Sequence, residues 1–263
     1  MSANILEILA DAAKERTERN KALKSLETIR EEAFAMNCDT GFPFEKALKQ
    51  KDIQFICECK KASPSKGLIA PDFPYVQIAK EYEAAGAACI SVLTEPTRFL
   101  GEDRFLKEIT SEVNIPCIRK DFVVDEYMIY EAKLLGASAI LLICAILTQE
   151  QLNKYTRIAH DLGLSVLCET HDEDEMKMAL ACGARIIGVN NRNLKDFTVD
   201  IGNCTRLRKY VPEDYVFVAE SGIKTAEDIR VLREAGVDAV LIGETLMRSP
   251  EKKKKLDELR GIQ

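Results

Sequence analysis

This 263-residue chain has little histidine and no long apolar run. It contains two histidines, and its longest apolar stretch, residues 139–147, is about half of what a membrane-spanning helix needs. Residues 1–16 mix charged with apolar residues and have no signal-peptide core. The net charge is −6, and the only basic run is short, at residues 252–255. These absences argue against a membrane span, secretion and nucleic-acid binding, and they predict a cytoplasmic protein.

Cysteine is present nine times, but no Cys-x-x-Cys motif occurs. Only Cys57 and Cys59 lie close together in the sequence. In a reducing compartment we expect free thiols that behave as small buried hydrophobes. A zinc site on this pair is the alternative, but neither histidine has a metal-binding partner at suitable spacing. The sequence therefore predicts no metal, and the lack of a histidine at a strand end argues against a serine triad.

The chain does contain a sequence motif that occurs four times, as AAGAACISV, LLGASAILL, ACGARIIGV and EAGVDAVLI. Each has the pattern of a helix end, a glycine and a strand. The glycines are Gly86, Gly136, Gly183 and Gly236, and each suits the left-handed conformation that closes a helix. They lie about 50 residues apart, too far for one strand-helix unit of a compact α/β fold, so a second unit should lie between each pair.

Short β-branched runs supply those second units. They lie at residues 116–120, 165–169 and 216–220, and a further run at 54–59 brings the predicted total to eight strands. Alternating strands and helices predict a parallel (β/α)₈ TIM barrel over residues 49–263. An open doubly wound sheet is the alternative, although no Gly-x-Gly-x-x-Gly follows the first strand. Residues 1–48 should form an N-terminal helical extension packed on the barrel, with helices at 5–9 and 22–36 and a turn at 37–44.

Polar side chains lie at the ends of five predicted strands, where the chemistry of a barrel is found. They are Glu58, Lys60, Lys120, Glu169, Asn190 and Glu220. Alternation along a strand puts Glu58 and Lys60 on one face and the two nearby cysteines on the other. One charge at a strand end is usually a solvated loop residue, but six that converge predict an acid–base site. Lysines and carboxylates there should pair, and burial should separate their pKa values.

Two turns at neighbouring strand ends suggest a phosphate site. They contain Ser221 and Gly222 after the seventh strand, and Gly243 and Glu244 after the eighth. Glycine lets backbone amides approach an anion, and a short helix presents its positive end there. We therefore expect a phosphorylated small-molecule substrate. The loop at residues 63–67 is a candidate mobile lid over it.

Several long motifs resemble one enzyme family. The segments ECKKASPSKG, IRKDFVVDEYMIYEAKLLGA, GVNNRNL, VAESGI and LIGETLMRSPE are similar to indole-3-glycerol phosphate synthase over about residues 44–250. The resemblance implies a decarboxylating and dehydrating ring closure of 1-(2-carboxyphenylamino)-1-deoxyribulose 5-phosphate in tryptophan biosynthesis, without a cofactor. Other enzymes of that pathway are the macromolecular partners to consider.

The resemblance also implies roles for individual residues. Lys120 matches the general acid that protonates the ketose oxygen, and Glu169 matches a carboxylate that assists the dehydration. Lys60 matches a second lysine that either meets the substrate carboxylate or acts as the acid in the loss of water. Three further residues, Glu58, Asn190 and Glu220, match the polar shell around them. Ser63 and Arg192 match positions near the substrate carboxylate, and Phe122 and Leu142 are implied as walls for the aromatic ring. The phosphate would be surrounded by Ser221, Gly222, Gly243 and Glu244.

Some alternatives stay open at this level. Core filling is the competing role for Phe122 and Leu142. Glu102 departs from the family, which usually has serine there, so a substrate contact at this position is in doubt. A desolvated lysine at a strand end would also suit a sugar-phosphate isomerase or a Schiff-base aldolase. A non-catalytic barrel that binds sugar phosphates is a third hypothesis, and the acid–base set argues against it.

Overall fold

The structure, a computed structural model, describes residues 5–193 and 197–262. It begins with three helices, α1 (Ile5–Leu23), α2 (Leu26–Ala35) and α3 (Pro43–Leu48). The predicted helix at 5–9 is therefore too short, and the one predicted at 22–36 starts too early. The Ser25 hydroxyl accepts a hydrogen bond from the backbone N–H of Thr28 and so starts α2 as a new helix. The stretch at 37–44 was also predicted incompletely, because Pro43 in the first turn starts α3.

The rest of the chain forms a closed barrel of eight parallel strands. In chain order these strands are β1 (Gln54–Cys59), β4 (Cys89–Leu93), β5 (Cys117–Lys120), β6 (Ala139–Ile143), β7 (Ser165–Thr170), β8 (Ile186–Asn190), β9 (Val216–Glu220) and β10 (Ala239–Ile242). The barrel closes where β1 pairs with both β4 and β10. The two remaining strands, β2 (Ala62–Ser63) and β3 (Gly67–Leu68), form an antiparallel hairpin directly after β1. The (β/α)₈ prediction is confirmed.

Helices connect the strands and cover the barrel. They are α4 (Tyr75–Ala84), α5 (Asp103–Glu112), α6 (Tyr127–Leu134), α7 (Gln149–Asp161), α8 (Glu173–Ala181), α9 (Gly202–Leu207), α10 (Ala226–Glu234), α11 (Glu244–Met247) and α12 (Lys252–Arg260). The four repeated glycines all have φ between 77° and 83°. Their predicted role as left-handed helix ends is confirmed. Within the described ranges, no helix is long and apolar enough to cross a membrane.

Strand pairing decides which side chains face the interior. Glu169 on β7 pairs with Gly188 on β8, and Asn190 pairs with Glu220 on β9. Side chains that pair across parallel strands point to the same side of the sheet, so these polar groups share the interior. The cysteines are all free, and eight of them are buried, whereas Cys38 is half-buried. Burial raises the pKa of Cys57 to about 12, as expected for a thiol that serves as packing.

The helix α1 is attached to the barrel just beyond the end of β5. Arg16 pairs with the buried carboxylate of Asp121 at 2.7 Å, and Lys21 pairs with Asp125 at 2.7 Å. Asn20 donates a hydrogen bond to Glu131 on α6. The N-terminal helices thus hold the segment that follows Lys120.

Candidate active site

Lys120 is placed between two carboxylates at the mouth of the barrel. Its Nζ lies 3.7 Å from Glu169 Oε2 and 3.7 Å from Glu220 Oε2. Burial by itself would lower the pKa of Lys120, but the charges of Glu220, Glu169 and Glu58 outweigh it and raise that pKa above its usual value. The ammonium group is therefore held protonated at neutral pH.

Glu220 is a carboxyl whose surroundings favour the protonated form. Burial, followed by the charge of Glu169, raises the pKa of Glu220 to about 8. Its Oε1 is buried and has no hydrogen-bond partner within the described ranges. Gly188 makes room for this side chain, because a β-carbon at that position would collide with Glu220 Oε1.

A second pair lies at the end of β1. Lys60 and Glu58 form an ion pair, and Ser91 Oγ donates to Glu58 Oε1 at 3.3 Å. Glu58 is buried, whereas the Lys60 side chain is 19% exposed and reaches toward the opening. The predicted shared face of these two residues is confirmed.

Asn190 connects the carboxylates to the β8 loop. Its Nδ2 donates to Glu169 Oε1 at 3.2 Å, and its Oδ1 accepts from the backbone N–H of Arg192 at 3.0 Å. All six polar residues predicted at the strand ends therefore come together in one cluster.

A cavity of about 620 Å³ opens above this cluster. Twelve of the predicted site residues line it: Glu58, Lys60, Ser63, Lys120, Phe122, Asn190, Arg192, Glu220, Ser221, Gly222, Gly243 and Glu244. Its volume is in the range of small-molecule sites. Phe122 is one wall, and its ring centroid lies 6.2 Å from that of Phe99, which also lines the cavity.

The turns after β9 and β10 are those for which the sequence predicted a phosphate. Ser221 and Gly222 are both left-handed, with φ of 68° and 84°. Glycine adopts this conformation readily and lets a ligand approach the backbone closely. Gly243 directly precedes the short helix α11, and the Glu244 carboxylate is paired with Arg248 at 3.0 Å.

Leu142 does not belong to this cavity, and its prediction as a ring-binding wall is wrong. In the register, Leu142 pairs with Cys168, whereas Ile143 pairs with Glu169. Leu142 therefore points to the helix side, where it is fully buried. The neighbouring Leu141 pairs with Leu167 and so faces the interior, but it does not line the cavity either.

Three further predictions concern the loops. Residues 63–67 belong to the β2–β3 hairpin, and Lys66 there lies 3.9 Å from Glu244 across the opening. Arg192 donates to the carbonyl of Phe197 at 3.3 Å. Glu102 points outward and pairs with Arg104 at 2.6 Å, so the departure from the family pattern falls on the surface.

One polar residue next to the cluster was missed as a site residue. His171 follows β7, and its Nε2 lies 3.6 Å from Glu169 Oε1. Its Nδ1 is hydrogen-bonded to Glu175 Oε2 at 3.0 Å. The sequence carries a signal for this contact, since a histidine four residues before a glutamate at a helix start can pair with it.

Gly243 gives a direct test of how tightly this cluster is packed. A β-carbon at this position would collide with Glu58 Oε2 and come within 3.0 Å of Lys60 Nζ, while the glycine has an ordinary φ. Gly243→Ala should therefore keep the fold but displace the ion pair, and we expect kcat/KM to fall by roughly 10²-fold. Gly202→Ala, whose β-carbon would lie nearest to the side chains of Asp200 and Arg206, is the matched control in the same assay and in thermal unfolding. Equal kcat/KM for both variants would contradict the packing argument.

Fold and site together define a class: a (β/α)₈-barrel protein with a lysine–carboxylate cluster and glycine-containing turns at the C-terminal mouth. The sequence model for indole-3-glycerol phosphate synthase matches residues 6–259. The chain belongs to the indole-3-glycerol phosphate synthase family.

Relatives of that name are similar over nearly their whole length. The indole-3-glycerol phosphate synthase of Ruminiclostridium cellulolyticum is 56% identical over 98% of this chain and 99% of its own. That of Lachnoclostridium phytofermentans is 51% identical over the same shares. Among solved structures, a chain of the tryptophan synthase complex from Pyrococcus furiosus matches with a TM-score of 0.61 at 16% identity, over 81% of this chain and 99% of that one. A similarity at that identity shows the barrel fold alone.

Proposed function

We propose that this protein converts 1-(2-carboxyphenylamino)-1-deoxyribulose 5-phosphate into indole-3-glycerol phosphate, carbon dioxide and water, as a carboxy-lyase of tryptophan biosynthesis. Family membership supports this assignment. The reaction forms one carbon–carbon bond and expels two small molecules, so it needs proton transfers and no net oxidation. An acid–base cluster is the equipment such a reaction requires.

The observation that carries the proposal is the placement of Lys120. Its ammonium lies 3.7 Å from each of two carboxylates and is held protonated, and it lines the cavity whose far rim has the glycine-containing turns. A general acid must hold its proton until the substrate oxygen needs it. Lys120 meets that requirement.

In the first step the ring carbon that carries the carboxylate attacks the ketose carbonyl carbon. Lys120 donates its proton to the carbonyl oxygen as this bond forms, and loss of carbon dioxide restores the aromatic ring. In the second step an acid of the cluster protonates the new hydroxyl, which leaves as water, and Glu169 takes the proton that is lost from the neighbouring carbon. Asn190, which donates to Glu169 Oε1, orients that carboxylate.

The remaining residues hold the substrate. The phosphate binds at the turns of Ser221, Gly222, Gly243 and Glu244, and the substrate carboxylate lies near Ser63 and Arg192. Phe122 packs against the aromatic ring and keeps it close to the ketose carbon.

Lys60 has two possible roles: binding the substrate carboxylate, and acting as the acid in the loss of water. For Lys60→Met, a rise in KM alone would assign the first role and a fall in kcat the second. Residues 1–48 serve as an extension that holds the segment after β5.

Purified protein supplied with the ribulotide phosphate should produce indole fluorescence without added metal or nucleotide. The substrate is verified independently by mass spectrometry, and an unrelated barrel protein serves as the blank. An assay without indole fluorescence, with intact substrate and folded protein, would contradict the proposed function.

The same preparation treated with borohydride and a ketose phosphate should give no stable adduct, whereas a Schiff-base aldolase would be trapped at its lysine.

A further inference from the structure

His171 occupies a side of Glu169 that the proposed reaction does not use. The Glu169 carboxylate is held at both oxygens: Oε2 faces Lys120 at 3.7 Å, and Oε1 faces Asn190 at 3.2 Å and His171 Nε2 at 3.6 Å. His171 lines a second, polar cavity of about 600 Å³ that shares Asn190 and Arg192 with the first. The imidazole thus approaches the oxygen of the Glu169 carboxylate that does not face Lys120.

The backbone and ring of His171 are both anchored. Its backbone N–H donates to Glu175 Oε2 at 2.8 Å, the same oxygen that is bonded to its Nδ1. Its carbonyl accepts from Asn203 Nδ2 at 3.1 Å. These three bonds leave the ring little freedom, so the direction of Nε2 toward Glu169 is fixed by the fold.

The charge state of the ring follows from this geometry. With Nδ1 donating to Glu175, a neutral imidazole would point the lone pair of Nε2 at the oxygen of Glu169, which is unfavourable. Only the imidazolium form offers an N–H to both carboxylates. In the present geometry Nε2 is buried and has no hydrogen-bond partner within the described ranges, so Glu169 is the acceptor within reach.

The other charged groups around His171 favour the same state. Acids face it from β7, α8 and β9, namely Glu169, Glu175 and Glu220. The walls of the second cavity add Asp172, Asp200, Arg192 and Arg206. Burial lowers the pKa of His171, but the hydrogen bond to Glu175 and the charges of Glu169 and Glu175 outweigh it, so that pKa lies above its usual value.

We propose that His171 is a positioning residue for the synthase reaction: held by Glu175, it presents a protonated imidazole to Glu169 and keeps that carboxylate oriented for proton transfer. It acts through Glu169 and does not touch the substrate. The activity test of this proposal rests on the proposed function. The test of the pairing between His171 and Glu169 does not.

The pairing is measured first, by NMR titration of the imidazole C–H groups. The chain has only two histidines, His160 and His171, so the spectrum is simple and His171→Asn assigns it. In the wild type we expect His171 to titrate above 6.5 and His160 below it, because burial lowers the pKa of His160. Glu169→Gln should lower the His171 midpoint by about one pH unit and leave His160 unmoved. An unchanged His171 midpoint would overturn the proposal whether or not the protein is a synthase.

The consequence is measured next, by the pH dependence of kcat. In His171→Ala the acidic limb of the profile should move about one pH unit toward higher pH, because a positive charge is lost beside the carboxylate that accepts the proton, and kcat on that limb should fall about tenfold with KM little changed. His171→Gln, whose amide can still donate toward Glu169, should restore part of the loss. A uniform loss of kcat at every pH, accompanied by a lower melting temperature, would mean a structural role and would refute positioning. If the NMR result holds but no variant and no wild-type protein shows activity, the proposed function fails and the pairing stands.

Discussion

Lys120→Ala should lower kcat by a factor of roughly 10² to 10⁴, the range for losing a general acid. The physical reason is that, among the residues that the structure describes, the other lysine of the cluster is Lys60, which is paired with Glu58 at the end of β1, two strands away in the barrel. KM should change little, because the proposed contacts to the phosphate and to the aromatic ring do not depend on this side chain. The measurement is steady-state indole fluorescence across a range of ribulotide concentrations.

Lys61→Ala is the matched control for this variant. Lys61 has the same side chain and directly follows Lys60, but it is not among the residues that line the cavity. It should retain near wild-type kcat and KM. If Lys120→Ala kept more than about a tenth of wild-type kcat, the assignment of Lys120 as the general acid would be wrong.

Lys120→Ala should also raise the pKa of Glu220. In the wild type, the ammonium of Lys120 opposes the rise that burial and Glu169 cause in the pKa of Glu220. Without the lysine, Glu220 should hold its proton to higher pH, so the variant stays folded by neutralising a buried charge. Infrared titration of the carboxyl C=O band would measure this change in the pKa of Glu220. An unchanged midpoint would contradict the coupling between Lys120 and Glu220.

The barrel was predictable because its signals are local. Four glycines with positive φ each mark the end of a helix before a strand, and no other residue adopts that conformation as readily. The convergence of Glu58, Lys120 and Glu169 was also predictable, because the two-residue period of a strand determines which side chains share a face. Both arguments need only the residues of one segment.

The errors arise where the outcome depends on contacts between segments. Leu142 was assigned to the wrong face because the register between β6 and β7 decides it, and a shift of one residue reverses every side chain. The contact between His171 and Glu169 requires α8 to return Glu175 to the end of β7. A single sequence does not specify the register between strands or the approach of His171 to Glu169. The length of α1 is a different kind of error, because the Ser25 cap that starts the next helix is a local signal.

Arg119 is the clearest example of a residue whose role the sequence conceals. It alternates with Lys120 on β5 and so faces the helices, where its side chain is fully buried. The guanidinium lies 2.6 Å from Asp103 and 2.7 Å from Glu131 and also donates to Thr94 and to the carbonyl of Met128. One cation therefore compensates several acids between the barrel and its helices.

Arg119→Met should destabilise the protein by about 3–5 kcal/mol, the cost of removing one partner from a buried charge network. The loss arises because Asp103, Glu131 and Asp121 remain in place without the guanidinium. Arg104→Met is the matched control, since Arg104 is an exposed arginine paired with Glu102, and its unfolding midpoint should match the wild type. Urea unfolding at pH 7 measures both variants. If the unfolding midpoint of Arg119→Met equalled that of Arg104→Met, the network would make no net contribution to the free energy of unfolding.

The pH dependence of that loss identifies its cause. In the wild type, burial would raise the pKa of Asp121, but Arg16 and Arg119 outweigh it and lower that pKa, so the network stabilises the protein at neutral pH and weakens as the pH falls. In Arg119→Met, Asp121 keeps Arg16 but loses the other cation that lowers its pKa, so its folded-state pKa is higher than in the wild type. The stability of the variant therefore rises relative to the wild type as the pH falls from 7 toward 5, and the difference between the two proteins narrows. A difference that stayed constant over this range would mean that lost packing of the arginine side chain, and not an uncompensated charge, destabilises the variant.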